Sequence, residues 1–346
     1  MQSPKPLAIT MGDPAGIAGE ITLMAWRARR EKNLPPFFLL DDPARIERLA
    51  QDVGLDAPVR LVQSAAEAAS AFPRALPVLP VALPAPVKLG EPNAKNAPAV
   101  IAAIDKAVAL MRRGEAAAVV TNPIHKHSLY AAGFKAPGHT EYLAQLAGPG
   151  VRPVMMLACP TLRVVPVTVH VPLRDAVAKL NTDDIVASGE ITARALAQDF
   201  GIARPRLAVA GINPHAGEDG SIGDEERRII APAVERLRRA GIAVTGPLPP
   251  DGMFHDEART RYDAAICMYH DQALIPLKAL GFWDGINVTL GLPFVRTSPD
   301  HGTAFELAGR GMARPESLIA AIAAAAEFAR RRGIDGESTV AHRSVA

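Results

Sequence analysis

The sequence predicts an α/β protein built as one large domain or two medium ones. Its 346 residues suffice for either. Short apolar runs of strand length alternate with longer helical patterns along the chain, the sign of an α/β architecture. Several of these runs end abruptly in turns rich in Gly, Pro, Asn or His, where ligands bind in open α/β sheets.

The elements follow in order. Leu7 to Met11 reads as a strand and runs into G-D-P-A-G-I-A-G-E, a Gly-rich turn before a helical pattern from Ile21. Backbone N–H groups of such a turn bind anions, although a plain strand-to-helix turn explains the glycines equally well. The turn is not G-x-G-x-x-G, so the usual dinucleotide fingerprint is absent. Phe37 to Leu40 reads as a second strand and Pro43 to Asp52 as a helix. Residues 73 to 92 are too Pro-rich for a long helix and suggest an extended crossing with edge strands. Pro98 to Arg113 is helical, and Ala117 to Thr121 is a short buried strand leading into N-P-I-H-K-H. That polar turn puts Asn122 and Lys126 on a pocket rim; a solvated helix start is the structural alternative for Lys126. Thr140 suits the N-cap of a helix from Glu141 to Leu146. Val154 to Ala158 and Leu162 to Val169 read as adjacent strands, and Thr182 to Phe200 as a helix capped by Thr182. Arg206 to Ala210 is a strand ending in G-I-N-P-H-A-G-E, followed by an amphipathic helix from Asp224 to Ala240. Ala264 to Met268 is a buried strand, Pro315 to Arg332 a helix, and the last dozen residues a frayed end.

Composition narrows the function classes. Hydrophobic residues make up 49% of the chain, and the net charge of +2 suggests no nucleic-acid surface. The two cysteines, Cys159 and Cys267, lie in apolar runs, as expected of buried reduced thiols in a cytoplasmic protein. No apolar run approaches the roughly 20 residues of a membrane span, and the N-terminus shows no signal-peptide pattern.

Chemistry concentrates between Tyr269 and Gly311, where His270, Asp271, Lys278, Asn287, Arg296, Asp300, His301 and Thr303 interrupt apolar sequence. Lys278 and Arg296 fall in strand-end loops of this stretch and suit an anionic ligand. His170, His215 and His270 each lie at or just after the end of an expected buried strand. Three imidazoles from three strand ends are a usual ligand set for a divalent ion with open positions. With nine histidines in the chain, satisfied core histidines are the alternative. Asp251, in P-P-D-G-M-F, is a candidate for proton handling or simply a turn-stabilising Asp.

The longest motifs are M-G-D-P-A-G-I from Met11, T-N-P-I-H-K from Thr121, G-H-T-E-Y-L from Gly138, V-H-V-P-L-R around His170, G-I-N-P-H-A-G-E around His215, Y-H-D-Q-A-L-I-P-L-K from Tyr269, and G-I-N-V-T-L-G-L-P-F-V-R-T-S-P-D-H-G-T-A from Gly285. Through them nearly the whole chain resembles the 4-hydroxythreonine-4-phosphate dehydrogenase (PdxA) family of the pyridoxal phosphate pathway. D-H-G-T-A-F-E-L-A-G is also similar to the nucleotide-binding loop of isocitrate and isopropylmalate dehydrogenases.

The resemblance implies a three-layer α/β/α fold, isocitrate/isopropylmalate dehydrogenase-like, with two domains and a cleft. Residues 1–140 with 300–346 would form the nucleotide-side domain. Residues 141–299 would form an inserted domain carrying the metal histidines and the dimer interface. It implies a homodimer with its active site at the subunit interface. One divalent ion (zinc, magnesium or cobalt) is expected on His170, His215 and His270. Substrate falls to His139, Thr140, Lys278, Asn287 and Arg296. NAD(P) falls to Gly12, Asp13, Asp300, His301, Gly302 and Thr303, with Asp251 and Lys126 as catalytic candidates. The implied reaction oxidises 4-hydroxy-L-threonine 4-phosphate to a β-keto acid, which loses carbon dioxide to give 3-amino-2-oxopropyl phosphate. The chain departs from the family pattern at Ala18-Gly19-Glu20, usually G-P-E, at Asn122, usually Ala, and at P-P-D-G-M-F, usually P-A-D-T-V-F. These departures leave open a sister enzyme acting on D-threonate or D-erythronate 4-phosphate or on a cis-dihydrodiol. A metal-dependent phosphatase or lyase, and a phosphate-ligand binding protein without nicotinamide, are the readings from other classes.

Overall fold

The computed structural model describes residues 4–335; the stretch expected to fray lies outside them from residue 336. The chain divides into two compact units, Met1–Tyr142 with Pro293–Ala346, and Leu143–Leu292. The strands in chain order are β1 (Leu7–Thr10), β2 (Phe37–Asp41), β3 (Val59–Leu61), β4 (Leu76–Pro80), β5 (Val119–Val120), β6 (Val154–Cys159), β7 (Leu162–Pro166), β8 (Arg206–Ala210), β9 (Ala243–Leu248), β10 (Ala264–Cys267), β11 (Ile286–Leu290) and β12 (Arg296–Pro299).

In the first unit the strand order is β3-β4-β2-β1-β5-β12, and every pairing is parallel. Parallel neighbours need crossover connections, supplied here largely by helices such as Ala18–Arg27, Pro43–Asp52 and Ala97–Arg112. Every residue of β1 and β2 is buried, which explains their apolar runs Leu7 to Ile9 and Phe37 to Leu40. The Pro-rich crossing was expected to contribute edge strands. Instead β4 lies inside the sheet between β2 and β3. Its prolines occupy the second and last positions, and the ladder closes around them through Leu76 N–H to Pro58 O (2.7 Å) and Val81 N–H to Asp41 O (3.0 Å).

The second unit orders its strands β11-β6-β7-β10-β8-β9. β11, β6 and β7 run antiparallel in turn, whereas β7, β10, β8 and β9 are mutually parallel. The helix His270–Leu280 runs through part of the stretch read as strand-end loop and carries Pro276 inside it. It forms because Ala273 and Leu277 are fully buried against Leu157, Val164, Ala208 and Cys267. The two cysteines are buried and free, and burial pushes the Cys267 thiol well up.

Two helix starts differ from expectation. Asn181, not Thr182, caps Thr182–Gln198 by accepting from Asp184 N–H at 2.9 Å. The helix expected from Asp224 is a π turn, Glu226–Ile230, followed by the α-helix Ala231–Arg239. No helix among the described residues is long and apolar enough to cross a membrane.

Candidate active site

In the first unit the ligand-type residues gather after three neighbouring parallel strands, β1, β5 and β12. β1 feeds Gly12 and Asp13. Gly12 has φ +68°, and a Cβ there would meet Ala18 Cβ, Asn122 Cβ and Pro123 O, each at 2.8 Å. Only glycine fits so close a backbone approach. Asp13 N–H donates to Pro123 O (2.8 Å), and Asp13 Oδ1 accepts from Ala15 N–H (2.9 Å). Burial raises the Asp13 carboxyl above its usual range, partly offset by the Ala15 N–H, His125 and Arg45. β12 feeds Asp300 to Thr303, and Thr303 O accepts from Ile17 N–H at 3.0 Å. The Gly-rich turn and the loop after β12 are therefore laced together. Gly302 is exposed, and Asp300, His301 and Thr303 are half-buried.

Arg296 opens β12 rather than lying in a loop, and its side chain is only 3% exposed. Its Nε and Nη2 both donate to Thr121 Oγ1, at 3.1 and 2.6 Å. Burial pushes the guanidinium pKa down to about 9, with Glu141 opposing, so it stays charged at neutral pH. His139 opens the helix His139–Ala147, which makes Thr140 a helical residue and not the N-cap. The His139 ring Nε2 is shielded from solvent and has no hydrogen-bond partner among the described residues. Burial, then Arg296 and Lys126, hold its pKa well below the usual imidazole value, so the ring is neutral at pH 7. Lys126 is exposed but its chain runs past Gly138, where an added Cβ would come within 3.4 Å of Lys126 Cε. A buried cation, a neutral imidazole and a nearby lysine suit an anion. Asn122 is fully buried and ties β5 to β1, donating from Nδ2 to Thr10 O (3.0 Å) and to Thr22 Oγ1 (3.1 Å).

In the second unit the three histidines follow three adjacent parallel strands, β7, β10 and β8. His170 comes four residues after β7, His215 five after β8 and His270 three after β10. The His170 and His270 rings lie 5.7 Å apart between centroids. His270 Nδ1 sits 2.7 Å from Asp271 Oδ1, and a proton on Nδ1 leaves Nε2 with the lone pair a metal takes. His170 (φ 48°) and His215 (φ 53°) hold left-handed backbone. His215 begins five consecutive residues, through Asp219, with φ between 41° and 81°. Such conformations cost about 1–2 kcal/mol for each non-glycine residue and cluster at functional sites. Buried Glu226 holds this loop, accepting from Ile212 N–H and Asn213 N–H at 2.7 Å each and from Asn213 Nδ2 at 2.9 Å. No three His, Cys, Asp or Glu side chains among the described residues stand close enough together to hold a metal ion. His215 is thus not drawn into one cluster with His170 and His270.

The remaining predicted residues of this unit occupy separate places. Lys278 lies in the last turn of the helix His270–Leu280, not in a loop, with Nζ 5.4 Å from the Phe282 ring centroid. Asn287 is on β11 opposite Leu157, and Asp251 is exposed in the short turn Pro250–Gly252. Sequence reasoning missed Thr121, Glu226 and Gln272. Each acts on backbone or on another side chain; Thr121 and Gln272 lie inside quoted motifs, T-N-P-I-H-K and Y-H-D-Q-A-L-I-P-L-K, whereas Glu226 had none to mark it.

Glycine turns, buried charge and histidines beyond the ends of parallel strands define an α/β protein of the ligand-binding kind. A family model described as pyridoxal phosphate biosynthetic protein PdxA matches residues 33–325, and the chain belongs to that family. It is 57% identical over 335 residues to a 4-hydroxythreonine-4-phosphate dehydrogenase of Bradyrhizobium diazoefficiens, covering 94% of this chain and 97% of that one. The crystal structure of 4-hydroxythreonine-4-phosphate dehydrogenase from Klebsiella pneumoniae superposes with a TM-score of 0.81 at 39% identity, covering 94% and 99% of the two chains. A terephthalate 1,2-cis-dihydrodiol dehydrogenase from Burkholderia xenovorans LB400 is more distant, with a TM-score of 0.62 at 29% identity over 93% and 98%.

Proposed function

We propose that this chain is an NAD(P)- and divalent-metal-dependent dehydrogenase that oxidises 4-hydroxy-L-threonine 4-phosphate in pyridoxine 5'-phosphate biosynthesis. The observation that carries the reading is 57% identity, over 94% of the chain, to a relative of that name. The dihydrodiol enzyme, at 29%, is much further away, which favours the phosphorylated amino acid over a cis-dihydrodiol.

The chain's own chemistry supports the reading. Arg296, held by Thr121, and the neutral ring of His139 suit the anionic substrate, and we assign them to its binding with Thr140, Lys278 and Asn287. A neutral His139 either donates to or accepts from a substrate oxygen without first losing a proton. We assign Gly12, Asp13 and the loop Asp300–Thr303 to NAD(P), which accepts the hydride from the substrate carbinol carbon. Their support is the lacing of the Gly-rich turn to the loop after β12. Three imidazoles beyond adjacent parallel strands, two on left-handed backbone, have the donor chemistry for a divalent ion such as zinc, magnesium or cobalt, and since no three ligand-type side chains stand together among the described residues, the set would be completed across the dimer. We assign His170, His215 and His270 to that ion, which when bound supplies Lewis-acid polarisation of the substrate hydroxyl. Lys126 and Asp251 are the proton-handling candidates.

We further infer a homodimer in the cytoplasm. The second unit exposes Leu173, Ile275, Phe282 and Trp283, at 60%, 68%, 60% and 52%, more apolar surface than isolated side chains need. The test is a rate assay of reduced-nicotinamide absorbance with 4-hydroxy-L-threonine 4-phosphate, D-erythronate 4-phosphate, D-threonate 4-phosphate and a cis-dihydrodiol, each with NAD and with NADP. Turnover of the first with a kcat/KM well above the others is expected. A higher kcat/KM for any other assigns the chain to a sister activity, and binding without reduction of either nucleotide overturns the dehydrogenase reading.

A further inference from the structure

The helix Ala18–Arg27 begins at Ile17, an N-cap residue with no polar side-chain atom to offer. A glutamate at the third helical position ordinarily turns back to the N-cap N–H. Here the loop after β12 takes that N–H, with Thr303 O accepting from Ile17 at 3.0 Å. Glu20, which holds the third helical position, therefore reaches elsewhere. It is 1% exposed, and its carboxyl group meets the far end of the same loop. Oε2 accepts from Gly309 N–H at 3.0 Å, and Oε1 from Ala313 N–H at 3.4 Å. Helix and loop exchange partners: a loop carbonyl caps the helix, and a helix carboxyl group holds the loop.

The backbone of this loop needs such ties. Between them lies Ala304 at φ 43°, a left-handed conformation that a residue with a Cβ resists. Gly309 has φ +75°, and a Cβ there would come within 2.5 Å of Leu89 Cδ1, so the far end runs through a slot that admits bare backbone. At the near end Asp300 N–H donates to Ser317 Oγ at 2.9 Å.

We propose that Glu20 is the positioning residue of the nucleotide loop: by fixing Gly309 and Ala313 against the helix whose N-cap already holds Thr303, it keeps Asp300–Thr303 in the shape that takes NAD(P). The proposal rests on the assignment of that loop to the cofactor. Glutamine at this position keeps the volume and one acceptor but turns an N–H toward a backbone N–H. Methionine keeps the volume and loses both bonds. Gly309→Ala disturbs the same end of the loop from the opposite side, through Leu89 and not through Glu20.

The experiment measures the Kd of NAD and of NADP by calorimetry on full-length wild type, Glu20→Met, Glu20→Gln and Gly309→Ala. Thermal melts and the KM values for nucleotide and for 4-hydroxy-L-threonine 4-phosphate accompany it. Glu20→Met is expected to bind the preferred nucleotide about tenfold more weakly or worse, with the substrate KM changed by less than about twofold. Glu20→Gln and Gly309→Ala are expected to fall between it and wild type. A merely structural role lowers the melting temperature and leaves the nucleotide Kd at its wild-type value, and that result overturns the proposal. An equal rise in both KM values overturns it too, since the damage is then not confined to the loop. If Glu20→Met does not fold, wild-type nucleotide affinity in the other two variants overturns it equally. Failure of wild type to bind either nucleotide would instead sink the assignment of the loop to NAD(P).

Discussion

The two units solve the same problem with different materials. Each places its ligand-type residues beyond three neighbouring parallel strands, β1-β5-β12 in one and β7-β10-β8 in the other. The first unit uses glycine, backbone N–H groups and buried charge: Gly12 where a Cβ cannot fit, Asp13 raised by burial, Arg296 lowered by it. The second uses imidazoles on strained backbone, with the cost placed in φ and not in desolvation. A site for extended anionic groups can share its charge among many donors, whereas a metal site depends on a few side chains at fixed positions. The units should therefore respond differently to substitution.

The largest effect is expected from the histidines. His270→Ala should lower kcat/KM about 10³-fold, the worth of several kcal/mol of metal assistance, and remove bound metal in elemental analysis. His170→Gly should lose activity alike, yet its metal-free form should be more stable than His170→Ala by about 1 kcal/mol, because glycine accepts φ 48° without strain. Equal melting temperatures for the two variants would show that the strain is not real.

Arg296→Lys comes next. It keeps a charge but loses the fork that meets Thr121 twice, and kcat/KM for the phosphorylated substrate should fall about tenfold or more. An unchanged value would leave Arg296 a structural residue and blur the contrast between the units.

Asp13→Asn should be milder. Burial disfavours the charged carboxylate, and asparagine still accepts from Ala15 N–H. The variant should melt no lower than wild type at pH 7 while its KM for NAD(P) rises several-fold. A lower melting temperature with unchanged KM would assign Asp13 to folding alone.

The smallest effect concerns His139. Its folded pKa lies below the unfolded value of about 6.5. As pH falls below about 6.5 the unfolded chain binds a proton that the folded chain resists, so stability is lost on acidification. Wild type should therefore lose more melting temperature than His139→Asn between about pH 7.5 and pH 5.5. Parallel losses would mean that the ring is not buried as described.

Local pattern alone determined the α/β class, the strands from Leu7, Phe37, Val154, Leu162, Arg206 and Ala264, and the histidines just beyond the last three of them. Buried parallel strands are unbroken apolar runs, and a polar residue after such a run is conspicuous in one dimension. The same reasoning failed where a distant contact decides the outcome. Lys278 reads as a loop residue, yet Ala273 and Leu277 buried in the core of the second unit hold a helix through it despite the hydrogen bond missing at Pro276. β4 reads as an edge because of its prolines, yet both neighbours pair with it away from the ring nitrogens. The roles of Thr121 under Arg296, Glu226 under the His215 loop and Gln272 between two strand ends are not local, for each is defined by a partner 175, 14 or 61 residues away. Hydrophobic periodicity is a property of neighbours in sequence. The satisfaction of a buried polar group depends on neighbours in space, and only the tertiary structure decides it.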